Sequence, residues 1–234
     1  MSVLLGLLQS ASAQFVEAAV QIEGTLKQSP RAYNSRCVFG TNTWMIEGDF
    51  LSNATTALWC TGTNIIAHHV VTKKHPPSKA SIFATRSPEV GEEWTSFYGP
   101  GDPSPLHGAS YVTWLAFCSS SFLKVEGREV RPFDPGSGNH GPYTDKTKIF
   151  QTPPGLPERI ELHRDDGKLV WAYEVQQSTN FSGWTIPLQF TATQYKILDS
   201  HTSEPVNAFV GHVTSMREAV APVVPPEIWK TPRR

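Results

Sequence analysis

The sequence predicts a mainly β protein of the α+β class, a curved antiparallel sheet or half-barrel with one covering helix and long Pro/Gly-rich loops. Three observations predict it. Apolar and polar side chains alternate over several short runs, the period-2 pattern of strands with one buried face. Turn residues separate those runs at hairpin spacing. A single stretch places its apolar residues three and four apart, as a covering helix would.

From Val16 to Leu26, the residues Val16, Ala18, Val20, Ile22, Gly24 and Leu26 alternate with Glu17, Ala19, Gln21, Glu23 and Thr25, which predicts the first strand. Arg36 to Phe39 and Trp44 to Phe50 flank Gly40-Thr41-Asn42 as a hairpin, and Trp44, Ile46, Gly48 and Phe50 share one face of its second strand. The triplet recurs as Gly62-Thr63-Asn64 between Thr56 to Thr61 and Ile65 to Thr72, so four consecutive strands read as a meander. Prolines then break regular structure from Lys73 to Leu106, a surface excursion with room for one strand near Ser81 to Thr85.

Tyr111, Trp114, Leu115, Cys118 and Phe122 fall on one side of a helix from about Ala109 to Leu123. Pro132 to Pro157 reads as a second long loop, because Asp134-Pro135-Gly136-Ser137-Gly138-Asn139-His140-Gly141-Pro142 suits neither helix nor central strand. Beyond it, Ile160 to Arg164 and Leu169 to Val175 flank the Asp166-Gly167 turn. A third strand follows, with Ile186, Leu188, Phe190 and Ala192 on one face, and the three form an antiparallel segment. Phe209 to Val213 predicts a last strand. Ala221-Pro222-Val223-Val224-Pro225-Pro226 is an extended tail that cannot enter a sheet interior.

These readings divide the chain into residues 1–13, a signal peptide; 14–218, a single β-rich domain; and 219–234, a Pro-rich C-terminal tail. The leader reading rests on the apolar run from Val3 to Leu8 followed by Ala11-Ser12-Ala13, an A-x-A-like cleavage site. Its apolar run is short and has no Lys or Arg before it, so the expectation is a leader whose start lies further upstream. The alternative is an apolar terminus or the beginning of the first strand. The leader reading makes the protein periplasmic or secreted.

Composition excludes several functions. Lys+Arg 20 against Asp+Glu 21 offers no basic excess for a phosphate backbone, so nucleic acid is not an expected partner. No apolar stretch after the leader approaches the ~20 residues of a membrane helix. The eight histidines are scattered, and the neighbours His68 and His69 point to opposite faces of a strand, so no metal or cofactor is expected. Cys37, Cys60 and Cys118 form no CxxC pair. A Cys37–Cys60 disulfide across neighbouring strands is one reading and buried thiols are the other. Asp165-Asp166 before Gly167 is turn chemistry, Ser119-Ser120-Ser121 lacks the glycines of a nucleophile elbow, and Gly136 to Gly141 lacks the Lys of a phosphate cradle. No catalytic residue is assigned.

The aromatic supply is what remains. One helix covers little of a broad sheet, so rings on its strands either fill a core or line a cavity for an apolar ligand. The expected wall is Trp44, Ile46, Trp59, Trp171, Tyr173 and Phe190 on the concave face, with an acyl chain or lipidated peptide as ligand. The competing reading is an envelope structural or protein-interaction module with a filled core and no small-molecule ligand, using its Pro-rich loops and tail as contact surface.

The strand-turn-strand Val38-Phe39-Gly40-Thr41-Asn42-Thr43-Trp44-Met45-Ile46, the mid-chain helix from Tyr111 to Leu123, and the late sheet from Leu156 through Asp166-Gly167 to Val175 and on from Trp184 to Tyr195 together resemble the periplasmic lipoprotein-carrier (LolA-like) superfamily. That resemblance implies a half-barrel of antiparallel strands with a helical lid, and a lipid or lipoprotein partner. The basic residue with which such carriers hold and release cargo has no matching position in this sequence.

Overall fold

In the computed structural model, the described residues are 15–26, 29–40, 43–51, 53–61, 64–74, 89–99, 105–106, 108–118, 146–150, 159–163, 167–197 and 203–233. They form strands β1 (Phe15–Leu26), β2 (Ser29–Phe39), β3 (Thr43–Leu51), β4 (Ala54–Thr61), β5 (Asn64–Val71), β6 (Glu93–Tyr98), β7 (Lys146–Phe150), β8 (Arg159–His163), β9 (Leu169–Phe181), β10 (Trp184–Ile197) and β11 (Ser203–Ala219). Helix α1 (Ala109–Phe117) falls between β6 and β7, and a short 3-10 helix (Pro226–Lys230) closes the described chain.

All strands belong to one antiparallel sheet in the order β6-β5-β4-β3-β2-β1-β11-β10-β9-β8-β7. Two meanders, β1 to β6 and β7 to β11, are joined where β1 pairs with β11 from Phe15↔Ala219 to Leu26↔Asn207. The sheet stays open, with β6 and β7 at its ends. It is also curved. Strands β3 and β9 lie five spacings apart, roughly 24 Å in a flat sheet, whereas a nine-residue helix is only about 13 Å long. Yet α1 packs against β1, β2, β3 and β10, and its Tyr111 ring reaches Trp171 of β9. The sheet therefore wraps around the helix.

The expected fold class is observed, and so are the four-strand meander and the β8-β9-β10 segment. The alternation in β1 holds: Val16, Ala18, Val20 and Ile22 are buried, whereas Glu17 and Ala19 are half-buried and Gln21 and Glu23 exposed. His68 and His69 do face opposite ways, His68 toward Thr95 and His69 toward Thr56 and Trp94.

Several expectations need correction. Strand β2 begins at Ser29, not Arg36, since pairing with β1 overrides the weak strand preference of Pro30, Arg31 and Asn34. Strand β6 lies inside the supposed excursion from Lys73 to Leu106; Trp94, Thr95, Phe97 and Tyr98 are good strand formers that the neighbouring prolines obscured. Strand β7 lies inside the supposed loop from Pro132 to Pro157. The expected strand near Ser81 to Thr85 falls outside the described residues. Strand β10 contains Pro187, which the ladder accommodates by register shifts between Pro187 and Phe190. Helix α1 is capped at Cys118, and the expected continuation to Leu123 lies outside the described residues.

The helix is not amphipathic either. Eight of its nine residues are buried and only Tyr111 is half-buried, as befits a segment that is apolar all round.

Two glycines let rings lie flat on the sheet. Gly24 pairs with Phe209 and Gly211 with Phe190; a Cβ would come within 2.6 Å of the Phe209 ring and 2.1 Å of the Phe190 ring.

The C-terminal tail is a strap laid on the sheet. Ile228 is buried among Phe15, Val38, Met45, Ala57, Trp59 and Ile66 on the outer face. Further on, the Thr95 N–H donates to the Pro232 carbonyl at 2.9 Å, Arg233 forms a parallel bridge with Thr95, and Trp229 stacks on Phe97 at 5.4 Å. The tail thus covers the edge of β6 while staying out of the sheet interior.

Candidate functional site

Strand alternation gives the sheet an inner face toward α1 and an outer face toward the strap. On the inner face, Trp44 and Ile46 of β3, Trp171 and Tyr173 of β9, and Phe190 of β10 belong to one hydrophobic cluster. The five are joined there by Phe209 of β11. Trp59, the sixth expected wall residue, is on the outer face. The register explains why: Val38, Met45, Trp59 and Ile66 lie in one row across β2 to β5, whereas Trp44 pairs with Cys60 and Ile46 with Leu58. Trp59 is one step out of phase with those two and packs under the strap.

Helix α1 forms a roof over this floor. Tyr111 meets Trp171 at 5.2 Å between ring centroids, Phe117 meets Phe39 at 5.5 Å and Phe190 at 5.9 Å, and below them Tyr173 contacts Phe190 and Trp171 contacts Phe209. Trp171 and Phe209 are stacked and the other pairs are tilted or edge-on, arrangements that are favourable for aromatic rings. The roof rings were the part that sequence spacing did not assign to the site. Phe117 in particular fell off the single helical face expected there.

In this closed arrangement Trp44, Ile46 and Phe190 have no accessible surface, whereas Trp171 keeps 9%, so the centre of the floor is filled. The closure is lightly fastened. Gly108 precedes the helix at φ 52, no side chain caps the helix N-terminus, and the first turn carries no acid. The Thr113 hydroxyl donates back to the Ala109 carbonyl at 2.9 Å and sits 3.3 Å from the Ser35 hydroxyl. Much of the remaining contact between roof and floor is between aromatic rings.

Three buried polar atoms find no hydrogen-bond partner among the described residues: Trp44 Nε1, Trp114 Nε1 and Tyr173 Oη. Burial of this kind costs about 1–3 kcal/mol per group, and it pushes the Tyr173 phenol far above its ordinary range. A site that could offer these donors an acceptor would relieve that cost. Among the described residues no group of three or more His, Cys, Asp or Glu converges as a metal site.

The outer face holds a second concavity. A groove of about 1100 Å³ runs between strap and sheet, lined by Arg36, Glu47, Trp59, His68 and the segment from Glu218 to Ile228 among others. Its floor carries a charge ladder in which Glu17 meets Arg217 at 2.8 Å and Arg36 at 3.3 Å, and Arg36 meets Glu47 at 3.2 Å. Partial burial raises the Glu17 pKa, but the two guanidinium partners outweigh it and hold the carboxyl below its usual value. On β8, Glu161 binds Arg159 at 2.7 Å and His163 at 2.9 Å, and His163 Nδ1 lies 2.9 Å from the Gly167 carbonyl. These contacts tie the end of β8 to Gly167. Neither cluster opens onto the aromatic floor.

No protein-family model matches the chain, and no curated protein matches it. Among solved structures, the chain is similar to a LolA superfamily protein from Nitrosomonas europaea, with 11% identity, 90% of this chain and 88% of the other covered, and a TM-score of 0.42. It is also similar to a putative outer membrane lipoprotein-sorting protein domain from Vibrio parahaemolyticus, with 9% identity, coverage of 87% and 84%, and a TM-score of 0.37. A DUF1329 family protein from Desulfovibrio piger shares 7% identity over 89% and 87% of the two chains at a TM-score of 0.35.

Proposed function

We propose that this is a non-catalytic exported binding protein that holds an apolar ligand, an acyl chain or the lipid of a lipidated peptide, on the inner face of its sheet after α1 moves aside. The observation that carries the reading is the roof itself: a largely apolar helix with no side-chain cap at its N-terminus, laid over a floor of aromatic rings and entered through a glycine with positive φ. The exchange is energetically balanced. Removing Trp114, Leu115 and Phe117 from the floor forgoes roughly 1.5–3 kcal/mol for each side chain, or about 5–9 kcal/mol together. An acyl chain of a dozen methylenes contributes about 10 kcal/mol at ~0.8 kcal/mol per methylene. A ligand headgroup would in addition offer acceptors to the indole and phenol donors that lack them.

Lipid extraction and mass spectrometry of the purified full-length protein test the reading. The native protein should yield acyl lipid, and Trp171→Asp, which places a carboxylate on the floor, should lose it. Added long-chain fatty acid should also raise the melting temperature of the delipidated native protein.

A second reading is favoured by the zero accessibility of Trp44, Ile46 and Phe190: the core is permanently filled, and the strap, with exposed Val220, Val223 and Trp229, meets a protein partner. A delipidated protein whose melting temperature ignores fatty acid would favour that reading.

A further inference from the structure

Cys37 and Cys118 approach each other where roof meets floor. Cys37 lies mid-strand in β2, paired with Ala18 on one side and Ile46 on the other. Cys118 is the C-cap of α1, and its N–H donates to the Trp114 carbonyl at 2.8 Å. Both side chains are buried, and their sulfurs are 3.6 Å apart across 81 residues of sequence. The sulfurs need to close by only about 1.5 Å to reach the ~2.05 Å of a disulfide. Of the two readings left open by the sequence, a Cys37–Cys60 disulfide is ruled out by the sheet: β3 lies between their strands, with Cys60 opposite Trp44 and Cys37 opposite Ile46. The strands are not neighbours, and all three cysteines are thiols here.

We infer that Cys37 and Cys118 are a modification site, a pair that takes up a disulfide and thereby clasps the C-terminal end of α1 to β2. The oxidant is a disulfide compound, small or protein-borne. A thiolate of the pair attacks one sulfur of that disulfide and expels the other as a thiol, leaving a mixed disulfide. The second cysteine then attacks the protein sulfur and releases the remaining thiol. Overall the pair loses two protons and two electrons, the oxidant's S–S bond becomes two thiols, and one new S–S bond joins β2 to α1.

The fold controls the rate of this step. Burial and the neighbouring thiols push the Cys118 pKa well above its ordinary value, so little thiolate exists while α1 is seated. Burial also pushes the Cys60 pKa up, to about 11. Oxidation therefore waits for α1 to lift, and once made, the bond holds the roof shut. The clasp itself is independent of any cargo; only its effect on ligand entry rests on the proposed function.

The test is to incubate the reduced full-length protein with oxidised glutathione, in buffer and in mild denaturant below the unfolding transition, then alkylate it and map peptides without reduction. The expected result is a Cys37–Cys118 peptide pair, formed faster in mild denaturant, with Cys60 alkylated. Cys60→Ser should give the same pair, whereas Cys37→Ser and Cys118→Ser should not. Recovery of all three cysteines alkylated under both conditions overturns the inference, as does a Cys60–Cys118 pair or glutathione adducts without the intrachain bond. Because cross-linking is read by mass and needs no lipid, its failure is separate from a failure to bind lipid.

Discussion

Gly211→Ala probes the aromatic floor at its tightest point. The φ of Gly211 is not in the left-handed region, so an alanine backbone fits, and loss of unfolded-chain entropy alone would stabilise by about 0.4–1 kcal/mol. The added methyl, however, would lie 2.1 to 2.8 Å from three Phe190 ring carbons. Phe190 cannot yield freely: it has no accessible surface, and its ring is held by Tyr173 at 5.7 Å and Phe117 at 5.9 Å. Overpacking of this kind costs about 1–3 kcal/mol, so the net destabilisation should be about 1–2 kcal/mol, read from urea unfolding followed by tryptophan fluorescence. The accompanying double variant Gly211→Ala with Phe190→Leu isolates the clash. Its destabilisation should fall short of the sum of the single variants by at least about 0.5 kcal/mol, as expected for groups in contact. A neutral Gly211→Ala, or strict additivity in the cycle, would refute the flat-ring packing over Gly211.

Two other predictions concern pH and the strap. Burial, and secondarily the charge of His68, lowers the His69 pKa from 6.5 to about 4, so between those values the unfolded chain binds the extra proton. Its contribution to stability is complete above pH 6.5 and is lost as pH falls to about 4. The full gap corresponds to about 3 kcal/mol, and solvent screening of this half-buried ring reduces it to about 1–2 kcal/mol. Glu17 and Glu161, both held below their usual values, add a further loss on the acid side of about 4.5. Unfolding midpoints at several pH values should fall across the first window in the native protein and flatten in His69→Gln; an unchanged slope would contradict the assignment. On the outer face, Ile228→Asp should weaken strap docking by about 2 kcal/mol, roughly a thirtyfold rise in proteolytic cleavage between Ala219 and Trp229. Val223→Asp, at a position 76% exposed, should leave cleavage unchanged. Equal cleavage of the two variants would mean that the strap is not anchored at Ile228.

What the sequence revealed follows the reach of local rules. Alternation in β1, β3 and β9 was legible because those strands have one apolar and one polar face, and a period of two needs only neighbouring residues. For that reason Trp44 and Ile46 were put on one face and Trp171 and Tyr173 on another, and all four lie in the inner cluster. Trp59 escaped that rule, because β4 is buried on both faces: Leu58 and Cys60 in the inner core, and Trp59 under a strap more than 150 residues away in sequence. Where both faces are covered, alternation in hydrophobicity disappears and phase comes only from the register with β3. The Cys37–Cys118 approach was hidden likewise, since no local pattern specifies which strand the end of a helix meets. The strap, read as a tail because of its prolines, docks through Ile228, through Trp229 and Arg233 on the Phe97 ring, and through backbone bonds to Thr95, and no local periodicity announces such contacts.

Movement of α1 off the floor is open to direct measurement at Cys118, which is wholly buried when the helix is seated. In a Cys37→Ser, Cys60→Ser background, the alkylation rate of Cys118 would be followed in delipidated protein with and without saturating long-chain fatty acid. Ligand that displaces the roof should speed labelling by roughly tenfold or more. An unchanged or slower rate in the presence of bound fatty acid would contradict an inner-face site beneath α1.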